Sequence, residues 1–135
     1  MIYNLVELLR NQFPAETIYI NGRSLLAGQE NIPDRNILVT DTGGTEKPWI
    51  LRSDVTVQII TRDADSPKAG KMAMDIFYFL TSRFGLILPQ ITIDGDLYPQ
   101  IHTAKITAIQ RPYFLGVDEE GRSEYTTNYI VFFER

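Results

Sequence analysis

The final stretch of the chain, residues 122–135, constrains the fold most, because its side chains alternate with the period of a pleated strand. One face carries Tyr125, Thr127, Tyr129, Val131 and Phe133, and the other carries Thr126, Asn128, Ile130 and Phe132. A chain that ends inside its own sheet ties that terminus down, whereas most termini are loose. We therefore expect a compact module with no tail.

Length and composition predict one globular domain over residues 1–135. A chain of 135 residues can bury roughly two-thirds of the surface that it exposes when unfolded. Apolar residues make up 44% and charged residues 22%, which is typical of globular proteins and excludes a disordered chain. The sequence contains no cysteine, so disulfides and thiolate metal sites are excluded.

The charge pattern disfavours a protein that grips nucleic acid. The formal net charge is −4, and the basic residues are scattered singly instead of forming the stripe that binds phosphates. No apolar run reaches the roughly 18 residues that a membrane span needs, and residues 1–10 do not resemble a signal peptide. We expect an unprocessed cytoplasmic chain that has no membrane partner.

Helical spacing of apolar residues predicts two helices. The first covers Ile2–Gln12 and stops before a proline. The second begins with Ser66 as N-cap and Pro67 at the first helical position, and it ends near Gly85 as C-cap.

Alternating apolar segments predict the strands. In order along the chain they cover residues 17–20, 36–41, 49–62, 91–93, 101–111 and 122–135. Residues 23–35 and 42–48 are predicted loops, Asp94 and Gly95 form a tight turn, residues 112–117 form a bend, and residues 118–121 form an acidic turn. This order predicts an α+β fold, a mostly antiparallel sheet with both helices packed on one face.

The residues do not form a recognisable catalytic or metal-binding constellation. The only histidine, His102, is predicted mid-strand without ligands at suitable spacing, so we interpret it as a structural or surface residue. Asp94 and Asp96 lack the further ligands of a calcium loop. Gly43 and Gly44 lack the lysine and the third glycine of phosphate-binding loops. We predict no catalytic residues, no cofactor and no metal.

Two blocks of sequence resemble the small phage minor capsid or tail terminator family. The first block comprises residues 37–44, residues 57–63 and the helical residues 76–80. The second comprises residues 108–116, residues 118–122 and the terminal strand. Together they span nearly the whole chain, and their order and spacing carry the resemblance.

The resemblance implies a non-enzymatic subunit that forms a ring, commonly a hexamer, at the head-proximal end of the tail. Such a ring caps the tail tube and contributes to the head–tail joint, so the implied partners are further copies, the major tail tube protein and the head–tail connector protein. DNA would pass through without specific binding, and an acidic subunit suits that passage. The implied location is the virion, and the host cytoplasm during assembly.

A closed ring needs heterologous contacts, which sheet edges and long loops can supply. We expect these contacts at eight residues: Asp41, Gly43, Gly44, Trp49, Arg62, Asp63, Tyr113 and Phe114. Two alternatives stay open. One is a head–tail connector or tail completion adaptor that forms no tube-end ring, and the other is a small enzyme that uses carboxylate catalysis in a pocket.

Overall fold

The computed structural model of the chain describes residues 1–20, 32–47 and 52–134. It confirms an α+β fold with a mostly antiparallel sheet. The helices of the described part are α1 (Ile2–Gln12) and α2 (Ser66–Thr81). Its strands are β1 (Ile18–Ile20), β2 (Asn36–Lys47), β3 (Arg52–Asp63), β4 (Ile87–Leu88), β5 (Ile91–Ile93), β6 (Asp96–Tyr98), β7 (Ile101–Ala108), β8 (Tyr113–Val117) and β9 (Ser123–Glu134).

Helix α1 is confirmed with the predicted bounds. Leu5, Val6 and Leu9 are buried, because their spacing places them on one face of the helix. The Phe13 amide still bonds to the Leu9 carbonyl, and the helix goes no further because the residue before Pro14 avoids the α region.

Helix α2 is confirmed, but both of its predicted caps are wrong. Asp65 is the N-cap and its carboxylate accepts a hydrogen bond from the Lys68 amide, so Ser66 becomes the first helical residue; aspartate caps a helix as well as serine does. The C-cap is Ser82, before the predicted Gly85. A lysine side chain from β7 bonds to the carbonyl of the last helical residue, which is one way to satisfy a helix end without glycine.

The main sheet of the described residues has the strand order β1-β2-β3-β9-β7-β4, and β8 also pairs with β9. β1 is parallel to β2, and the other pairs are antiparallel. β3 pairs along its whole length with β9, which confirms the predicted terminal strand up to Glu134. Helix α1 contacts both β1 and β4, at opposite ends of the strand order. The sheet therefore curls around this helix.

The predicted loop at residues 42–48 is wrong where the structure describes it, because β2 continues to Lys47 in register with β3. The register shifts between Asp41 and Gly43, and the Asp41 carboxylate accepts a hydrogen bond from the Gly43 amide at 2.8 Å. The glycine pair thus forms a β-bulge inside a strand, which glycine tolerates because it adopts positive φ. The predicted strand start at Trp49 lies outside the described residues.

The predicted strand over residues 101–111 is too long, and the predicted bend over residues 112–117 is wrong. β7 ends at Ala108, and β8 is a strand that pairs with β9. Both lie on the same side of β9, so they act as one long strand with an interruption at residues 109–112. Pro112 lies in that interruption, where its missing N–H removes no ladder hydrogen bond.

The predicted turn at Asp94 and Gly95 is confirmed, with positive φ values of 52° and 83° that suit a two-residue hairpin. The turn joins β5 to β6. Neither β6 nor β4 was predicted from the sequence. We call residues 91–98 the β5–β6 hairpin. It forms a separate two-stranded sheet.

One apolar core joins the helices to the main sheet. Its buried members are Leu5, Val6, Leu9, Ile18, Ile37, Val39, Val57, Ile59, Met72, Ile76, Leu80, Leu88, Ile106, Tyr129 and Val131. Tyr129 is the largest fully buried side chain, and burial raises the pKa of its hydroxyl. The hydroxyl therefore stays neutral in the core.

Candidate assembly surface

Parts of the main sheet's edges are covered by other groups of the chain. At the β1 edge, the Arg10 guanidinium donates to the Ile18 carbonyl at 2.8 and 3.2 Å. Along the first half of β7, residues 84–88 run beside the strand, and the Gly85 amide bonds to the Ala104 carbonyl at 3.1 Å. An edge whose backbone N–H and C=O groups already have hydrogen-bond partners does not readily pair with a strand of another chain.

Residues 106–117 are an edge that is not covered in this way, and we call them the open edge. The second half of β2, residues 40–47, also has no paired strand on its outer side among the described residues. β9 pairs with the inner side of the open edge through both β7 and β8. On its outer side, the described part of the chain supplies no paired strand. An uncovered edge of this length is a template for pairing with another chain.

The open edge is also apolar. Nine large hydrophobic side chains are exposed among the described residues, and five of them lie here, between 47% and 61% exposed. They are Ile109, Tyr113, Phe114, Leu115 and Val117. Exposed apolar side chains on an uncovered strand edge are typical of surfaces that pair with another chain.

A groove runs between α2 and the beginning of the open edge. It has a volume of about 320 Å³ and is lined by Phe77, Thr81, Lys105–Ala108, Gln110 and Arg111. The open edge, residues 106–117, carries one charged side chain, Arg111. Lys105 precedes it, and the acidic turn at residues 118–121 follows it.

Lys105 fixes the wall of this groove. Its ammonium donates to the Thr81 carbonyl at 2.5 Å and to the Arg83 carbonyl at 3.3 Å. The same ammonium lies 4.4 Å from the centroid of the exposed Phe84 ring, within the range of a cation–π interaction. A cation at the C-terminus of α2 also complements the helix dipole. The end of α2 is thereby attached to β7.

The acidic turn between β8 and β9 is confirmed and is rigidly built. The Asp118 carboxylate accepts hydrogen bonds from the Glu120 and Arg122 amides and from Arg122 Nε, at 3.0, 2.9 and 2.7 Å. Burial alone would raise the pKa of Asp118, but the Arg122 hydrogen bonds and charge outweigh it and lower the pKa. This turn holds β8 against β9, and so holds the apolar end of the open edge in place.

The structure divides the eight predicted contact residues instead of bringing them together. Tyr113 and Phe114 lie on the open edge, and each is about half exposed. Gly43 pairs with Thr56, which in turn pairs with Ile130 of β9. Phe114 pairs with Tyr125 of β9, five residues from Ile130. The glycine bulge and Phe114 are therefore displaced by about 17 Å along the strand direction. Asp41 and Gly44 lie beside Gly43, and Trp49 lies outside the described residues.

Arg62 and Asp63 make contacts within the chain. Arg62 Nε lies 2.6 Å from a Glu124 carboxylate oxygen, and its terminal nitrogen donates to the Tyr19 hydroxyl at 2.9 Å. Asp63 is buried, and its carboxylate accepts hydrogen bonds from the Asp65 amide and the Arg35 guanidinium. These partners give both residues a structural role, which sequence spacing could not show.

Gly44 has a structural requirement of its own. A Cβ atom built there would lie 2.1 Å from the Asp54 carbonyl oxygen, far inside van der Waals contact. Gly43, also at positive φ, faces open space. The bulge therefore needs glycine at the second position because β3 passes so close.

The eight expected contact residues did not include Ile109, Leu115 and Val117, all of which are exposed at the open edge. For Leu115 and Val117 the signal was the short apolar run of residues 113–117 between a proline and an acidic turn. That pattern is typical of a hairpin strand as well as of a bend.

A cavity of about 700 Å³ brings together His102, Gln100 and Glu134 near the first residues of α1. Among the described residues no group of three or more histidine and acidic side chains could hold a metal ion. No helix of the described part is both long and apolar enough to cross a membrane.

Comparison with known proteins does not assign the chain to a family. No protein-family model matches the sequence, and no curated protein is significantly similar to it.

Proposed function

We propose that this chain is a structural subunit of a phage tail: a tail terminator that assembles into a ring of six copies at the head-proximal end of the tail tube. The observation that carries the proposal is the open edge, whose exposed apolar side chains need a protein partner. The kind of assembly, a ring at the end of the tail tube, is inferred from the resemblance of the sequence to tail terminators.

The partners of such a ring are further copies of this chain, the major tail tube protein and the head–tail connector protein. Acidic residues outnumber basic ones by 17 to 13. An acidic lumen lets DNA pass without being held, because it does not bind phosphates.

The proposal includes a layered subunit in which both helices cover one face of the sheet. Leu9 of α1 and Ile76 of α2 belong to the same core as Val57 of β3. Thr61, which shares a face of β3 with Val57, donates to the Ala69 carbonyl of α2 at 2.9 Å. The other face of the sheet then remains for contacts in the assembled tail.

The test measures the mass of the purified protein over a range of concentrations, alone and with purified tail tubes. The proposal expects a closed oligomer that binds one end of the tube, visible by electron microscopy. A protein that binds tube ends only as a monomer or dimer would be an adaptor. A protein that neither self-associates nor binds tubes would overturn the proposal.

A further inference from the structure

The β5–β6 hairpin presents a surface that complements the open edge. Asp96 and Leu97 are both exposed at the start of β6, and Leu97 is 58% exposed. Within the described chain, β6 pairs only with β5, so its other side has no strand neighbour. The hairpin thus offers an apolar side chain and an acidic one on a strand that can pair once more.

The hairpin is held firmly at its base. The buried Asn4 side chain donates to the Tyr98 carbonyl at 3.2 Å and to the Pro99 carbonyl at 3.0 Å. The Tyr3 and Tyr98 rings lie 4.7 Å apart, between their centroids. A surface positioned in this way loses little conformational entropy on binding.

The charges of the two surfaces are opposite. Residues 89–100 contain Asp94 and Asp96 and no basic residue, whereas the open edge, residues 106–117, contains Arg111 as its one charged residue. Arg111 is exposed and borders the groove beside α2. Complementary charges of this kind fix the register of a contact and exclude like-charged alternatives.

The hairpin does not pair with the open edge of its own chain in the described structure, where β5 and β6 form a sheet by themselves. β5 contacts α1, and residues 91–94 line a groove with Tyr19 and Ile20. Both surfaces are therefore available to a second copy.

We propose that the β5–β6 hairpin of one copy adds its β6 strand to the open edge of the next copy, with Leu97 against the apolar side chains and Asp96 facing Arg111. This inference rests on the proposed function and names the contact that builds the ring. The contact is heterologous, since two different surfaces meet, and heterologous contacts close into rings when the rotation between copies allows it.

Charge reversal tests this contact. Asp96→Lys and Arg111→Glu should each raise the concentration needed for assembly by roughly tenfold or more, because each places like charges opposite one another. The double variant should assemble nearly as the unchanged protein does, because the pair is restored with opposite polarity. Lys71→Glu and Asp75→Lys are matched controls. These two residues form an exposed ion pair of 2.8 Å on α2, within one chain, so reversing either charge should leave assembly unchanged.

Leu97→Ser provides a second test that changes no charge, on a side chain exposed enough for the fold to tolerate it. It should weaken assembly and leave the circular dichroism spectrum unchanged. Rings that form equally well from Leu97→Ser and from both single charge variants would overturn this contact and leave the proposed function standing. Failure of the double variant to recover assembly would also overturn it. If the unchanged protein never associates, alone or on tail tubes, the contact and the proposed function fail together.

Discussion

Arg62 and Glu124 are direct partners in the β3–β9 register, and their side chains form an ion pair of 2.6 Å between Nε and Oε2. Both side chains are less than one-fifth exposed. Because Arg62 also donates to Tyr19, it joins β1, β3 and β9 on one face of the sheet. A residue predicted to contact a neighbouring subunit thus stabilises its own subunit.

Arg62→Met should therefore lower the free energy of unfolding by about 1–3 kcal/mol, because it leaves the Glu124 carboxylate without its partner. Urea denaturation measures this loss. The double variant Arg62→Met with Glu124→Leu should recover much of it, because no charge is then left unpaired. A single variant as stable as the unchanged protein would contradict the structural role.

Gly44→Ala should destabilise the β2–β3 pair by about 1–3 kcal/mol, because the added methyl group meets the Asp54 carbonyl and the backbone φ is +132°. Gly43→Ala is the matched control, with φ of +99° but open space around the new atom, and it should cost about 1 kcal/mol. Thermal unfolding of the two variants compares them directly. Equal losses of stability in the two variants would show that the positive φ alone, and not the close approach of the Asp54 carbonyl, makes glycine necessary in the bulge.

Asp118→Ala should lower the free energy of unfolding at pH 7 by about 1 kcal/mol, because the turn loses three hydrogen bonds to the carboxylate. Folding lowers the pKa of Asp118, so its contribution is present above the unfolded pKa of about 3.9 and is lost as the pH falls through the folded value. Denaturation at several pH values should show the difference between the two proteins shrinking below about pH 4. A difference that stays constant down to pH 2 would contradict this origin.

Leu115→Ser combined with Val117→Ser should leave the free energy of unfolding within about 0.5 kcal/mol of the original, because both side chains are exposed in the single chain. The same variant should lose self-association, which analytical ultracentrifugation measures. Lys71→Ser, an exposed substitution on α2, serves as the control and should assemble normally. Retained assembly in the double serine variant would remove these two residues from the interface.

Local periodicity was enough to predict α1, α2 and β9, because the residues that form each element carry the pattern themselves. The turn at Asp94 and Gly95 was predictable for the same reason, since its geometry depends on two adjacent residues. The helices and the turn are formed by hydrogen bonds between residues close in sequence, and the alternation of β9 is visible in its own residues although its partner strands are not.

Pairing between distant segments was not predictable in the same way. The Arg62 ion pair joins residues 62 positions apart, and nothing local to Arg62 indicates its partner. The glycine pair was interpreted as a loop because a bulge inside a long strand needs the partner strand to reveal it. Residues 113–117 were interpreted as a bend because a proline argues locally against a strand, although Pro112 lies just before β8 and outside its ladder.

Hydrogen exchange over residues 106–117, measured at concentrations below and above assembly, tests most directly whether another copy covers the open edge. We predict that amides on the outer side of β8 exchange quickly in the single chain and slowly in the oligomer, while α2 exchanges equally in both. Equal exchange of residues 106–117 in the two states, in a sample whose mass shows an oligomer, would show that no other copy covers the open edge.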